Sequence, residues 1–307
     1  MSPYSSPNLT KRRGKVENNY FCIADHHVCI RFVSTEHNSM DLLPSFENFK
    51  MSGQPADLFF TLTVDDTIRP VKDRRLVRKF DTGNGDTVVY QLPDGGYQYI
   101  IRDVYDRDCC LLVCNSDFTD CRCALNGNWV MRSFGLNDAL MLIYAFAGSF
   151  HETMLIHAST IRLGDWGYPF IAKSGTGKST HSSLWLKHIE GCDLMNDDNP
   201  VVRIIDGTPF IYGSPWSGKT PCYRNIKARL GAVTRIDRAP QNSIEQLAPV
   251  QAFASLLPAC SSMKWDTIIY NNLCDAITRI IETTPIYTLH CLPDEEAAHV
   301  CHNKIAR

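Results

Sequence analysis

The sequence predicts an α/β domain with a mixed sheet, preceded by a β-rich N-terminal domain. Three observations support this prediction: the first 135 residues are rich in strand-length apolar runs, a strongly apolar helical segment follows them, and strands then alternate with helical segments around a glycine-rich loop. A length of 307 residues suits two domains. We therefore expect a flexible N-terminal tail at 1–19, the β-rich domain at 20–135 and the α/β domain at 136–307.

The balance of charge restricts the partners of the chain. Lys and Arg number 31 and Asp and Glu 33, a net charge of -2, so the chain as a whole has no attraction for nucleic acid or an anionic membrane. No apolar run approaches the roughly 18 residues that span a bilayer. The basic first residues are not followed by the apolar segment of a secretory signal. We expect a cytoplasmic protein that binds neither nucleic acid nor membranes.

Thirteen cysteines are scattered along the chain, with a cluster between Cys109 and Cys123. The cluster contains no C-x-x-C pair and no neighbouring histidine, so the usual spacing of zinc ligands is missing. Without a secretory signal, we expect free thiols that pack as small hydrophobic groups.

Strand signals follow one another through the first half. Residues 93–96, Pro-Asp-Gly-Gly, are a hairpin signal between two strand-like runs. The basic run at 71–80 lacks the interleaved aromatic residues of a nucleic-acid platform, and we expect it to be a solvated face. We expect no catalytic group from this half. The predicted strand segments are 20–33, 56–64, 86–92, 97–105, 107–114 and 121–133.

An apolar segment at 136–150 marks the change of character near residue 135. It is apolar on nearly all sides, which is typical of a buried helix, and Asn137 or Asp138 is the expected N-cap. Two strand segments follow, at 153–163 and 168–174. His157 lies in the first of them among apolar neighbours, where a core histidine is the more usual interpretation of the residue taken alone.

The most informative segment is the glycine-rich loop after the second of these strands. Residues 172–180 read Ala-Lys-Ser-Gly-Thr-Gly-Lys-Ser-Thr and lead into a helical segment at 181–189. This is the context of a phosphate-binding loop, G-x-x-x-x-G-K-[ST], with Ala172 at the first glycine position. Glycines let backbone N–H groups turn toward phosphate oxygens, and a helix N-terminus adds partial positive charge. Lys178 would reach the β- and γ-phosphates and Ser179 would hold Mg²⁺. The predicted nucleotide-binding residues are Ser174, Gly175, Thr176, Gly177, Lys178, Ser179 and Thr180.

An acidic pair, Asp197 and Asp198, ends the next strand-like segment. One carboxylate of such a pair can hold Mg²⁺ and the other can accept the proton of an attacking hydroxyl. The sequence Asn-Asp-Asp-Asn-Pro is also good turn sequence, and taken alone it favours a turn. Beside a phosphate-binding loop we favour a site, with Asp197 and Ser179 as metal ligands and Asp198 as the base.

A glycine-rich stretch at 213–220 follows a hairpin signal at Asp206 and Gly207. The stretch carries hydroxyl groups and a cation suited to an anion or a substrate, although a plain surface loop accounts equally well for its composition. The candidate substrate-binding residues are Ser214, Lys219 and Arg224.

Together these segments resemble the catalytic domain of bacterial HPr kinase/phosphorylase and the related phosphoenolpyruvate-carboxykinase-like P-loop kinases. The resemblance covers about residues 150–225 and rests on His157 in a strand, the following hydrophobic strand, Ser-Gly-Thr-Gly-Lys-Ser, a helix, and a strand that ends in Asp197 and Asp198. It implies a nucleotide-binding P-loop domain with a mixed sheet, with Lys178 and His157 near the reacting groups and Asp198 as catalytic base. The Glu-x-Arg-Gly-x-Gly stretch of HPr kinases has no good counterpart here, so the chain looks more like the small-molecule and peptide kinases of this group.

The sequence thus predicts a Mg²⁺-dependent kinase that uses ATP, or another nucleotide or pyrophosphate, to phosphorylate a hydroxyl group, with seryl hydroxyls among the candidates. The alternative is a nucleotide-binding regulatory or assembly protein without phosphoryl transfer, which needs the loop and one metal-binding carboxylate but no base. Decarboxylation of the carboxykinase type would need a second metal site, and the sequence shows no obvious set of residues for one. The oligomers of the family also suggest self-association.

Overall fold

The computed structural model describes residues 16–33, 37–81, 85–218 and 220–307. Within these residues the chain forms two mixed sheets, five α-helices and short 3₁₀ turns. The first sheet contains β1 (Val16–Ile23), β2 (His26–Val33), β3 (Phe60–Val64), β4 (Arg75–Asp81), β5 (Asp86–Gln91), β6 (Tyr97–Arg102), β7 (Asp108–Cys114) and β8 (Asp120–Leu125), in the order β1-β2-β3-β8-β7-β6-β5-β4.

The second sheet and the helices make up the rest of the described chain. The strands are β9 (Thr153–Leu155), β10 (Ala158–Leu163), β11 (Trp166–Ile171), β12 (Cys192–Asp198), β13 (Val201–Ile205), β14 (Thr208–Tyr212), β15 (Lys227–Leu230), β16 (Val233–Arg238), β17 (Ser243–Gln246) and β18 (Ile286–Cys291). The helices are α1 (Trp129–Gly148), α2 (Lys178–His188), α3 (Pro249–Leu256), α4 (Thr267–Thr283) and α5 (Glu295–Ile305).

The first sheet differs from the prediction at its first strands. The run at 20–33 is the greater part of a hairpin, because Ala24 and Asp25 adopt left-handed conformations with φ of 49° and 60° and turn the chain between β1 and β2. Strand β1 begins at Val16, so the last four residues of the predicted tail, 16–19, are extended and paired; residues 1–15 lie outside the described part. The hairpin predicted at 93–96 is confirmed, since β5 and β6 pair antiparallel.

The second sheet is arranged around β11. Strand β11 runs parallel to β15 and β16 and antiparallel to β10, which in turn pairs with β12. The hairpin predicted at Asp206 and Gly207 is confirmed by antiparallel pairing of β13 and β14. The predicted strand at 153–163 is divided: β9 pairs with β13, β10 pairs with β11 and β12, and His157 lies at the break between them.

Helix α1 begins earlier than the sequence predicts. Its N-cap is Asn128, whose side chain accepts a hydrogen bond of 3.1 Å from the backbone N–H of Met131. The segment 129–133, predicted as strand, is therefore helical, and Asn137 and Asp138 lie in the helix interior instead of capping it. Gly127, with φ of 82°, ends the preceding loop and lets Asn128 take the extended conformation of a cap. The predicted domain boundary at 135 falls inside this helix.

Helix α1 packs between the two sheets and joins their cores. The Tyr144 ring lies 5.2 Å from the Trp216 ring of the second half, and its hydroxyl donates to the carbonyl of Ile23 at 2.8 Å. Arg203 donates to the carbonyl of Ala24 at 3.0 Å. The buried apolar cluster around α1 takes side chains from both sheets, so the two halves share this cluster, while two further clusters lie within the second half.

All thirteen cysteines are free, and most are buried. The five cysteines of the cluster lie in β7 and β8 and are buried as small apolar groups, with Cys114 opposite Cys121. Cys110, Cys114, Cys121 and Cys123 belong to the apolar cluster around α1, whereas Cys109 lies outside it. Across the described ranges, no helix combines the length and the apolar character required to cross a bilayer.

Candidate functional site

The glycine-rich loop connects the end of β11 to the start of α2. Gly175 and Gly177 have φ of 76° and 131°, and Gly177 is the N-cap of α2. A Cβ atom at Gly177 would meet no atom within 4 Å, so glycine is required there by the backbone conformation and not by lack of space. The loop therefore presents an open concave surface at a helix N-terminus, the geometry that favours anions.

Arg238, at the end of β16, holds this loop in position. Its Nε donates to the carbonyl of Thr176 at 2.9 Å, and its Nη2 donates to the carbonyl of Gly175 at 2.7 Å. Two bonds from one guanidinium fix the loop against the neighbouring strand. No sequence pattern indicated this contact, because β16 lies far from the loop along the chain.

The first two residues of α2, Lys178 and Ser179, place an ammonium group and a hydroxyl group next to the loop. Lys178 is half-buried, and its Nζ donates one long hydrogen bond of 3.4 Å to the carbonyl of Ala172. Burial lowers the pKa of Lys178, while Asp198 and Asp197 oppose that shift. The hydroxyl of Ser179 donates to Oδ1 of Asp197 at 2.9 Å. The predicted metal ligands are thus in contact.

The acidic pair lies at the end of β12, beside His157. Pairing with β10 puts Asp198 opposite Ala158, and His157 precedes that residue directly. The distance from His157 Nδ1 to Asp198 Oδ1 is 3.5 Å. The amide of Asn199 donates to the other carboxylate oxygen of Asp198 at 2.7 Å. The structure therefore brings His157, Asp197 and Asp198 together at one edge of the sheet, and adds Asn199, which the sequence indicated only as part of a turn.

Burial raises the pKa of Asp198 and so makes it a stronger base than an exposed aspartate. Burial, helped by the negative charge of Asp197, raises the pKa of Asp198, while His157 and Lys178 act against the rise. Burial and the charge of Lys178 lower the pKa of His157, although Asp198 opposes this. The site therefore favours the neutral form of His157 more than water does.

Two residues hold the acidic pair against the segment that follows β14. The amide of Asn196 donates to the carbonyl of Trp216 at 3.1 Å, and its Oδ1 accepts the backbone N–H of Asp198 at 3.2 Å. The N–H of Gly218 donates to the carbonyl of Asp197 at 2.6 Å. A Cβ at Gly218 would lie 2.9 Å from that oxygen, so any larger residue would displace the pair.

Two of the three candidate substrate residues serve other purposes. Ser214 is fully buried, and its hydroxyl donates to the carbonyl of Asn199 at 2.6 Å. It is therefore a structural residue beneath the site, and the prediction that it contacts substrate is wrong for this conformation. Lys219 lies outside the described residues.

Arg224 lies at the opposite end of β12 from the acidic pair. It donates to the carbonyl of Leu194 at 2.5 Å and contacts a carboxylate oxygen of Asp193 at 3.1 Å. Asp193 and Asp198 are separated by about 17 Å along an extended strand. Arg224 therefore belongs to a surface ion-pair group, and its assignment to the substrate site is also wrong.

A cavity of about 890 Å³ lies in front of the loop and the acidic pair. Its lining also includes Asp138, Met141 and Leu142 of α1, and Thr87 of the N-terminal sheet. Thr87 brings the first half of the chain to the edge of the cavity, and the expectation that this half supplies no catalytic group stays a prediction. A second cavity of about 730 Å³ adjoins it through His157. Both volumes suit small ligands.

The residues present fit a nucleotide with Mg²⁺. Among the side chains that the structure describes, no group of three or more His, Cys, Asp or Glu residues could hold a metal ion by itself. The Ser179 hydroxyl and the Asp197 carboxylate supply two oxygen ligands. Mg²⁺ is commonly bound by one or two such groups together with substrate phosphates and water.

Neither the protein-family models nor the curated proteins compared with this chain match it. Among solved structures, the chain is similar to the Hpr(Ser) kinase/phosphatase from Coxiella burnetii, with a TM-score of 0.29 and 10% sequence identity, over 48% of this chain and 91% of that one. A likeness of this strength does not establish a common fold, so the function must be argued from the side chains of the site.

Proposed function

We propose that this protein is a kinase that transfers the γ-phosphoryl group of Mg-ATP to a hydroxyl group of a small molecule, a peptide or a protein. The observation that carries the proposal is the convergence on one cavity of Lys178, the contact between Ser179 and Asp197, and the half-buried carboxylate of Asp198. A nucleotide-binding protein that does not transfer a phosphoryl group needs no carboxylate at the position of Asp198.

The loop and Lys178 are suited to the phosphates of the donor. The Lys178 ammonium has one long hydrogen bond in the described structure, so its positive charge is available to phosphate oxygens. Ser179 and Asp197 would hold Mg²⁺, which, when bound, neutralises charge on the phosphates. Arg238 keeps the loop rigid and thereby preorganises it for binding.

Asp198 supplies the proton acceptor. The acceptor oxygen forms a bond to the γ-phosphorus, the bond from that phosphorus to the β–γ bridging oxygen breaks with its electron pair leaving on ADP, and the hydroxyl proton passes to Asp198. The raised pKa of Asp198 suits this role, because a carboxylate of higher pKa is a better general base. Asn199 and His157 orient the carboxylate, one at each oxygen.

The test is transfer of labelled phosphate from Mg-ATP by the full chain to free amino acids, hydroxyl-bearing peptides and cell lysate. We expect transfer by the wild type and its loss in Lys178→Ala. Lys187→Ala, an exposed lysine at the other end of α2, is the matched control and should behave as wild type. Mg-ATP binding without transfer or hydrolysis by the wild type would contradict the proposal and favour a regulatory nucleotide-binding protein.

A further inference from the structure

Asp138 is a carboxylate in the cavity wall that the proposed chemistry does not use. It lies on α1 with Met141 and Leu142, three and four residues further along, so the three side chains share one helix face. This face lines the same cavity as the glycine-rich loop. Asp138 is half-buried, and within the described ranges no hydrogen bond or ion pair reaches its carboxylate.

A carboxylate in this position has no structural role in the helix. The N-cap of α1 is Asn128, so Asp138 satisfies no free backbone N–H group. Burial alone raises the pKa of Asp138 to about 7, which means that its environment disfavours the charge. The charged form of such a carboxylate is stabilised when a ligand in the cavity brings a hydrogen-bond donor or a positive charge to it.

The other cavity residues indicate which part of a ligand Asp138 would meet. Lys178, Ser179 and Asp197 are assigned to the nucleotide and its metal ion, and Asp198 to the reacting hydroxyl. Asp138 comes from another element, α1, and has no part in these roles, which leaves it for the body of the acceptor. Met141 and Leu142 beside it offer apolar surface.

We propose that Asp138 binds a protonated amine of the phosphoryl acceptor, and that the acceptors are amino alcohols with an apolar group next to the amine. This inference rests on the proposed kinase function, because only a kinase has a phosphoryl acceptor. Binding of the amine can nevertheless be measured without catalysis. Three carboxylates and one lysine line the cavity, a balance of charge that also favours a cationic acceptor.

The test uses two probes of the same size. Phenylalaninol carries an ammonium group, a hydroxyl and an aromatic ring, and 3-phenylpropane-1,2-diol replaces the ammonium by a neutral hydroxyl. Their affinities are measured by calorimetry for the wild type, for Asp138→Asn and for Asp275→Asn. The last is a matched control, since Asp275 is an exposed aspartate inside another helix, α4.

We expect the wild type and Asp275→Asn to bind the amine roughly ten- to a hundredfold more tightly than the diol, because an ion pair with Asp138 adds a charge-assisted hydrogen bond. Asp138→Asn should bind the two probes within a factor of two. Equal affinities in the wild type, or a preference that survives in Asp138→Asn, would overturn the inference. A preference that depends on Asp138, without transfer of label from Mg-ATP to the amine, would support amine binding by Asp138 but count against the kinase and against amino alcohols as its acceptors.

Discussion

Replacing Asp138 by asparagine should make the protein more stable, and increasingly so as the pH rises. The substitution keeps the shape of the side chain and removes a charge that no described residue compensates. The folded-state pKa of about 7 lies above the ordinary aspartate value of 3.8, so the folded protein holds this proton more tightly than the unfolded chain. The stability of the wild type relative to the variant therefore falls as the pH rises from 4 to 7 and is constant above that range.

The size of the change in the free energy of unfolding follows from how far the pKa of Asp138 is raised on folding. A pKa raised from about 3.8 to about 7 corresponds to about 4 kcal/mol at high pH, and roughly half to two thirds of this develops between pH 5 and pH 8. Asp138 is only half-buried, and water in the cavity screens its charge, so we expect a change of about 1–2 kcal/mol between these two pH values. The other titratable groups that face the cavity, His157, Lys178, Asp197 and Asp198, are present in both proteins and largely cancel in the comparison.

The assay is urea unfolding of the full chain at pH 5 and pH 8, for the wild type, Asp138→Asn and Asp275→Asn. The free energy of unfolding of Asp138→Asn should exceed that of the wild type at pH 8, and the difference should shrink at pH 5. Asp275→Asn should follow the wild type at both pH values. A variant at position 138 that is no more stable than wild type, or a difference that does not depend on pH, would refute the reasoning.

Three further predictions concern the proposed chemistry. Lys178→Ala should weaken Mg-ATP binding ten- to a hundredfold in calorimetry, because a charge-assisted phosphate contact is lost; an unchanged affinity would remove Lys178 from the nucleotide site. Asp198→Asn should lower single-turnover rates by about 10²–10⁴-fold. The wild-type rate should fall as the pH drops through the pKa of Asp198, which lies above 3.8 because of burial, and this acid limb should be absent in the variant. Asp197→Asn should raise the Mg²⁺ concentration needed for half-maximal rate, and an unaltered Mg²⁺ titration would exclude Asp197 as a ligand.

The parts of the site that the sequence could predict are local ones. The glycine-rich loop and the first turn of α2 are contiguous, and a loop that ends in Gly-Lys-Ser after an apolar strand has few other uses. The acidic pair at the end of β12 could be placed next to that loop because β10 and β12 return to the same edge of the sheet. The two hairpins were also predictable, since their turn residues act within four positions.

The sequence-based predictions were wrong at residues whose position depends on tertiary contacts. Asp138 could not be recognised as a cavity residue because the start of α1 was predicted too late. An aspartate near a predicted helix start is interpreted as an N-cap, and the sequence alone does not distinguish it from a residue that lines a cavity. Ser214 and Arg224 have the right chemistry for a substrate site, but Ser214 is buried beneath Asn199 and Arg224 is paired at the far end of β12. Which polar residue is buried depends on strand order, and the sequence contains no local signal for that.

The apolar cluster around α1 also affects how the protein unfolds. Tyr144 contacts Trp216 on one side and the chain at Ile23 on the other, so separating the sheets would expose apolar surface from both halves at once. We expect the residues of this cluster in both halves to become exposed together, so that amide exchange in the strands that contact it is governed by one opening. A fragment that begins at residue 136 would lose the first two turns of α1 and the sheet that covers it, and would expose the apolar side chains that the second half contributes to this cluster.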